Sequence, residues 1–203
     1  MATSWGAADI NSESKADEWG MCCIYAMSEE FHEKCPELAR RLVYAHSKAI
    51  EFMYTHPYNA AMMFADGFDT DPYVALRTIY MKTVAEGRTI TWQFTEQNLE
   101  NYIENYTKFP QIPEEEIPRI DNFQDLLNTN IIGEAGVDDF DSFIASEVDP
   151  VFPIGMTFED WYNKAKEVDN ISDEDAVDIS DTATPYLNEN LESSEAAEQT
   201  DII

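Results

Sequence analysis

A short apolar run followed at once by helix-start signals constrains the fold of this chain more than any other feature. Residues Met21 to Ala26 contain no charged side chain, and a run of this length is typical of a buried strand. Ser28 can cap a helical turn, and Pro36 stands where the first turn of a helix accepts proline. The order of strand, turn and helix predicts an α/β fold with helices packed on a sheet face.

A long amphipathic helix is predicted over residues 36–54. The apolar positions that recur at spacings of three and four are Leu38, Leu42, Ala45, Ala49 and Met53, and Ala39, Val43, His46 and Ile50 widen the stripe. A stripe of this width packs against a large apolar surface. We therefore expect one continuous helix in which the first four of these side chains are buried.

Turn and cap signals predict the remaining elements. Residues 1–19 have no clear period and predict a loop or linker. Further helices are expected from Pro57 to Gly67, from Asp71-Pro72 to near Gly87, from Thr95 through Tyr106, around 123–127, within 138–147 and from Thr157 onward, with Asp160 completing the last cap. Prolines 110, 113 and 118 predict an extended segment, residues 148–153 are also expected to be extended, and Ile131–Gly133 predicts either a short strand or a buried turn.

The charge of the chain excludes several classes of partner. The 203 residues carry a formal net charge of −29, so phosphate backbones and anionic membrane surfaces would be repelled. No run approaches the roughly 20 apolar residues that span a bilayer, and the first residues do not resemble a signal peptide. After Lys166 there is no basic residue, and we expect residues from about 170 to 203 to be disordered and dispensable.

An ordered run of features resembles the later part of solute-binding proteins of the nitrate, sulfonate, taurine and thiamine-pyrimidine group. The matching residues are Ser28, Phe31, Pro36, Leu42, Ala45, Ala49, Ile50, Pro57, Ala60 and Ala61. The similarity covers residues 20–127 and, more loosely, Val148 to Lys166. It implies the C-terminal portion of a two-lobed, periplasmic-binding-protein-like α/β fold, mostly α-helical here with one or two short strands.

The resemblance also implies a domain organisation and a function. It assigns 1–20 to a hinge, 21–127 to the C-terminal part of lobe 1, 128–168 to an extension packed on that lobe, and 169–203 to a disordered acidic tail. The implied function is capture of a small solute (a sulfonate, nitrate or a pyrimidine-like compound) in an interlobe cleft for the membrane permease of an ABC importer. This component is extracytoplasmic, is not an enzyme and uses no cofactor, and the chain is expected to lack the N-terminal half; were the chain complete, the absence of a signal peptide would indicate the cytoplasm.

The candidate ligand-binding residues are Trp19, Met21, Cys22 and Cys23. The cysteine pair follows Gly20 as in the cysteine-rich signature of thiamine-pyrimidine synthases, but Met21 and Tyr25 replace two of its four thiols. The thiols therefore pack as small apolar groups, line a cleft, or carry metal chemistry, and the first interpretation is favoured.

Two alternative functions remain open: an enzyme of that synthase type, and a stand-alone acidic helical interaction protein. His32 and Cys35 share a helix face but match no structural zinc pattern. No acidic cluster has the order of an EF-hand, so no metal site is predicted.

Overall fold

The computed structural model describes residues 2–4, 21–23, 25–93 and 130–180. The helices expected at 95–106 and 123–127 and the proline-rich segment at 110–118 lie outside these residues, as does Trp19.

The described part of the chain is mostly helical, as expected. Its helices are α1 (Glu29–Lys34), α2 (Pro36–Thr55), α3 (Pro57–Phe68), α4 (Pro72–Tyr80), α5 (Ile131–Glu134), α6 (Phe140–Phe143) and α7 (Phe158–Asp169), and its strands are β1 (Ala2–Ser4), β2 (Met21–Cys23) and β3 (Ile90–Thr91). Two helices run directly into π-helical turns, α4 into Met81–Ala85 and α6 into Ile144–Val148.

The three strands form one small antiparallel sheet in the order β2-β1-β3. Its central strand is β1, so the prediction of a loop throughout residues 1–19 is wrong at Ala2–Ser4. Thr3 lies opposite Cys23 on one side and Ile90 on the other. Residues 2–4 have no apolar pattern of their own. They form a strand because β1 pairs with another strand on each side.

Side-chain caps begin the helices at the expected residues. The oxygens of Ser28, Asp71 and Thr157 accept backbone N–H groups of α1, α4 and α7, and Thr157 also donates to Asp160 at 2.8 Å. The sequence predicts the end of α3 one residue early, at Gly67 instead of Phe68. The helix runs past Gly67, and Asp69 takes the left-handed conformation (φ 49°) that closes it, a conformation that aspartate tolerates better than most residues.

Helix α2 is continuous as predicted, but its buried face is rotated. The buried side chains are Ala39, Ser47, Ile50 and Tyr54, whereas Leu38, Ala45 and Ala49 are exposed and Leu42 is half-buried. The core lies against the Tyr54 side of α2, because Tyr54 donates its hydroxyl to the carbonyl of Ile90 at 2.8 Å and meets Phe140 edge-on. The predicted burial of Leu38, Ala45 and Ala49 is therefore wrong.

One shorter segment also differs from expectation. Residues 148–153 form a turn instead of an extended stretch, because the N–H groups of Val151 and Phe152 both donate to the carbonyl of Val148. Of the two alternatives predicted for Ile131–Gly133, the structure shows the buried turn: Ile131 to Glu134 form one helical turn, with Ile131 buried.

The core lies where α3, α4 and α7 meet the chain around β3 and α6. Its largest fully buried side chains include Trp161, Tyr54, Ile50 and Leu76. Residues 170–180 pack on this core through Ile171, Ala176, Val177 and Ile179, which are all half-buried. The predicted disorder therefore began too early, since four apolar side chains in eleven residues suffice to hold this segment; residues 181–203 lie beyond the described part.

Candidate functional site

Three of the four predicted ligand-binding residues lie on one strand. Met21, Cys22 and Cys23 form β2, an outer strand of the described sheet, with Met21 opposite Ser4 and Cys23 opposite Thr3. Trp19 lies outside the described residues. The role of these residues in binding stays a prediction.

The chain that leaves β2 is attached to α2 by an aromatic pair. The ring of Tyr25 lies 4.2 Å from the ring of His46, centroid to centroid, at an angle of 56°. Burial lowers the pKa of the His46 imidazole, because the charged form loses hydration. His46 is therefore a half-buried histidine at the edge of the core, held by ring packing.

The other histidines and the third cysteine do not assemble a metal site. Within residues 2–4, 21–23, 25–93 and 130–180, no group of three or more His, Cys, Asp or Glu side chains is placed to hold a metal ion. His56 joins α2 to α3, where its ring stacks on Phe52 with centroids 4.9 Å apart.

A nearly buried arginine joins three segments that the sequence did not connect. The guanidinium of Arg88 donates to the carbonyls of Thr83 and Phe152, the latter at 2.7 Å, and to the Asp149 carboxylate at 2.5 Å. Its Nε is buried without a hydrogen-bond partner among the described residues. Arg88, two residues before β3, thereby holds the turn at 148–152, a structural role that depends on residues far apart in the sequence.

Two buried tyrosines hold the backbone of one residue in the C-terminal segment. The hydroxyl of Tyr58 accepts the N–H of Val177 at 2.8 Å, and the hydroxyl of Tyr162 donates to the carbonyl of Val177 at 2.5 Å. Beside them Asp169 accepts the N–H of Asn59 in the first turn of α3 at 2.9 Å. Because both polar groups of Val177 are satisfied by side chains, residues 171–180 are fixed across α3 and α7.

Several apolar side chains of the described residues are exposed. The outer stripe of α2 consists of Leu38, Leu42, Ala45 and Ala49. Exposed apolar side chains also occur near the turn between α3 and α4, at Met63, Phe68 and Val74, and the rings of Phe64 and Phe68 lie 4.8 Å apart. Leu38, Met63, Phe68 and Val74 are among the most exposed large apolar side chains of the described chain.

The basic side chains of the described residues are engaged within the chain. Lys34, Arg40, Arg41, Lys48, Lys82, Arg88, Lys164 and Lys166 form ion pairs, and Arg77 lies 4.6 Å from the ring of Phe158. Most of the acidic side chains of the described residues, in contrast, form no ion pair with these basic groups.

Comparison of the chain with models of protein families, with curated proteins and with solved structures finds no match. Among the helices of the described residues, none combines the length and the apolar character that crossing a membrane requires.

Proposed function

We propose that this chain is the later, mostly helical part of lobe 1 of a solute-binding protein that serves an ABC importer. In this role it helps to enclose a small solute, such as a sulfonate, nitrate or a pyrimidine-like compound, in a cleft between two lobes. The closed protein then delivers the solute to a membrane permease outside the cytoplasm. The role is binding without catalysis, and it requires no cofactor.

The outer stripe of α2 is the observation that carries the proposal. Leu38 is 48% exposed, although it begins a run of apolar side chains at helical spacing along the same face. Ala45 and Ala49 keep that face flat enough for close approach. A helix with apolar residues on two sides packs between two layers, and the described core occupies only one of them. The resemblance supplies the second layer, the remainder of the lobe 1 sheet.

The outer sides of β2 and β3 are where such a remainder would pair. Within the described residues, β2 and β3 each pair with β1 alone. The outer backbone groups of both strands are therefore positioned to accept further strands. Pairing there would extend the three short strands into a larger sheet.

Solute titration and a matched pair of surface variants test the proposal. The 203-residue chain alone should give no heat with taurine, nitrate or an aminopyrimidine, because a half cleft cannot bury most of a ligand's surface. Protein purified from its natural source under native conditions should carry the rest of lobe 1 and a solute, both detectable by native mass spectrometry.

The variants locate the contact between the two parts. Leu38→Glu should abolish the association with the rest of lobe 1, whereas Ile154→Glu, at an exposed residue elsewhere on the surface, should leave it intact. Micromolar solute binding by the 203-residue chain alone would contradict the proposal. Association that tolerates Leu38→Glu would contradict the part assigned to α2.

A further inference from the structure

Residues 171–180, which we call the strap, cross α3 and α7 without forming a helix or a strand. Their backbone is held at Val177, which donates its N–H to the Tyr58 hydroxyl at 2.8 Å and accepts the Tyr162 hydroxyl at its carbonyl at 2.5 Å. Every residue except proline offers these two backbone groups. The two tyrosines therefore form a surface that recognises the backbone of a peptide and not one particular side chain.

Side chains of the strap add specific contacts to this recognition of the backbone. Val177 and Ile179 are half-buried and Asp178 between them is exposed, which is the alternation of an extended peptide that lies on a surface. Earlier in the strap, Asp173 pairs with Lys166 of α7 at 2.8 Å. The Lys166 side chain is only 16% exposed and that of Asp173 is 95% exposed. The covered cation thus belongs to the surface, and the carboxylate is supplied by the segment that lies on it.

Few interactions join the strap to the rest of the described residues. The N–H of Ile171 closes the end of α7 on the carbonyl of Lys166. Beyond it, the polar contacts within the described part of the chain are the two tyrosine hydrogen bonds and the pair between Lys166 and Asp173. The four apolar side chains of the strap are half-buried, and none is fully buried. A segment with so few buried contacts opens at a lower free energy than the whole fold.

We propose that the surface formed by Tyr58, Tyr162 and Lys166 is a binding site for extended peptide segments, and that the strap occupies this site in cis. A partner protein would present an extended segment with a carboxylate four residues before the residue held by the tyrosines and an apolar side chain two residues after it. The strap would detach about Asn170, whose left-handed conformation (φ 56°) ends α7. Backbone hydrogen bonds give affinity in this mode of recognition, and side chains give specificity.

The geometry of the strap selects an extended partner over a helical one. A residue inside a helix already uses its N–H and its carbonyl within that helix, so it cannot offer both groups to Tyr58 and Tyr162. The strap competes with any partner, because a tethered segment is present at an effective concentration of about millimolar. The site lies on α3 and α7, whereas the proposed lobe contact uses the outer stripe of α2, so the two proposals are independent.

The first test measures binding of the strap sequence as a separate peptide. The probe is a fluorescein-labelled, C-terminally amidated peptide of residues 171–180, and binding is followed by fluorescence anisotropy. In the full chain, Val177→Pro/Ile179→Ser removes the N–H that Tyr58 accepts and one apolar contact of the strap. This strap variant should bind the probe at least about tenfold more tightly than the natural chain, whose own strap competes. A probe that itself carries Val177→Pro should bind the strap variant about tenfold more weakly.

Tyrosine substitutions show where the probe binds. Tyr58→Phe added to the strap variant should weaken binding about fivefold. Tyr44→Phe, at an exposed tyrosine of α2, should change it by less than about twofold. Equal binding by the natural chain and the strap variant, equal effects of the two tyrosine substitutions, or no saturable binding to the strap variant would each overturn the proposal. Circular dichroism checks the folding of the strap variant, and Ile179→Ser alone replaces it in the same titration if the double variant does not fold.

Amide hydrogen exchange tests whether the strap opens in the natural chain. Followed by NMR, the N–H of Val177 should exchange at least about tenfold faster than that of Leu76, which is buried in α4. Low concentrations of guanidinium chloride should speed exchange at Leu76 and leave Val177 unchanged. Equal rates with the same response to denaturant would mean that the strap leaves only when the whole chain unfolds, and would overturn the proposal.

Exchange of straps between two copies gives a distinct result. Sedimentation velocity of the natural chain should show a monomer whose mass does not change with concentration. A dimer that Tyr58→Phe weakens would overturn the assignment of a separate partner protein in favour of a second copy of the chain.

Discussion

The hydrogen bonds that Tyr58 and Tyr162 make with Val177 can each be removed by a substitution that deletes one oxygen atom. The resulting loss of stability measures how strongly residues 171–180 are bound to the core. Tyr58→Phe leaves the N–H of Val177 without its partner, and Tyr162→Phe does the same for the carbonyl. Leaving a buried backbone group unpaired costs about 1–3 kcal/mol, and because Val177 is half-buried we expect the low end, about 1 kcal/mol for each variant. For a chain of this size that corresponds to a fall in Tm of about 2–4 °C.

Chains of different length show whether this loss belongs to the contact. In a chain ending at Asn170, Val177 is gone and both tyrosine hydroxyls face water. Tyr58→Phe should then change the free energy of unfolding by less than about 0.5 kcal/mol, so the coupling between the variant and the truncation is about 1 kcal/mol. A chain ending at Ser180 should behave as the full chain does.

The control for these measurements is Tyr73→Phe. The Tyr73 ring meets Phe158 edge-on, a contact that phenylalanine retains, so this variant should be nearly neutral in every chain. The assay is thermal unfolding followed by circular dichroism. Equal effects of Tyr58→Phe in the chains ending at 170 and at 180 would refute the role assigned to the tyrosine pair, and so would an unchanged Tm after removal of residues 171–180.

The remaining predictions concern α2 and two titrating groups. Ile50→Ala should cost about 2–5 kcal/mol because Ile50 is fully buried, whereas Leu42→Ala, at a half-buried residue, should cost clearly less; chemical denaturation compares them, and the reverse order would contradict the rotated face of α2. Desolvation lowers the pKa of His46 in the folded chain, so the stabilisation from its neutral form is complete above the unfolded pKa and is lost as pH falls through the folded pKa. The free energy of unfolding, measured from pH 7.5 to 5, should therefore fall less in His46→Gln than in the natural chain, and an identical fall would contradict this. The pKa of Asp139 is lowered because its carboxylate accepts the Ser142 N–H and a hydrogen bond from the Gln93 side chain. The stabilisation that this carboxylate gives above its unfolded pKa should be lost as pH falls through its folded pKa, and Asp139→Ala should reduce the loss of stability at acid pH.

Local signals in the sequence were sufficient where a helix begins. Ser28, Asp71 and Thr157 cap the helices they were expected to cap, because the interaction involves only the next three residues. The position of β1 had no such signal. Its pairing with β2 and β3 spans 17 and 87 residues, from Ser4 to Met21 and from Thr3 to Ile90, and no local sequence pattern indicates a short strand that is stabilised by pairing on both sides.

The contacts that organise the candidate sites depend on distant residues in the same way. The Arg88 guanidinium meets Asp149, and the Tyr58 hydroxyl meets the N–H of Val177, across 61 and 119 residues of sequence. The surrounding composition predicts neither partner. The acidic character of residues 170–180 led to a prediction of disorder, despite four spaced apolar residues in the segment. Those four residues and the two buried tyrosine hydroxyls hold the segment on the core.

Helix α2 shows why its buried side could not be chosen from the sequence alone. The helix carries apolar residues around more than half of its circumference, so both the Leu38–Ala49 side and the Ala39–Tyr54 side satisfy the helical period. Tyr54 determines which side of α2 is buried, because its ring packs edge-on against Phe140 and its hydroxyl donates to the carbonyl of Ile90. Once that side is fixed, the outer stripe follows along the opposite face. The stripe that misled the prediction of the core is also the surface on which the proposed second layer would pack.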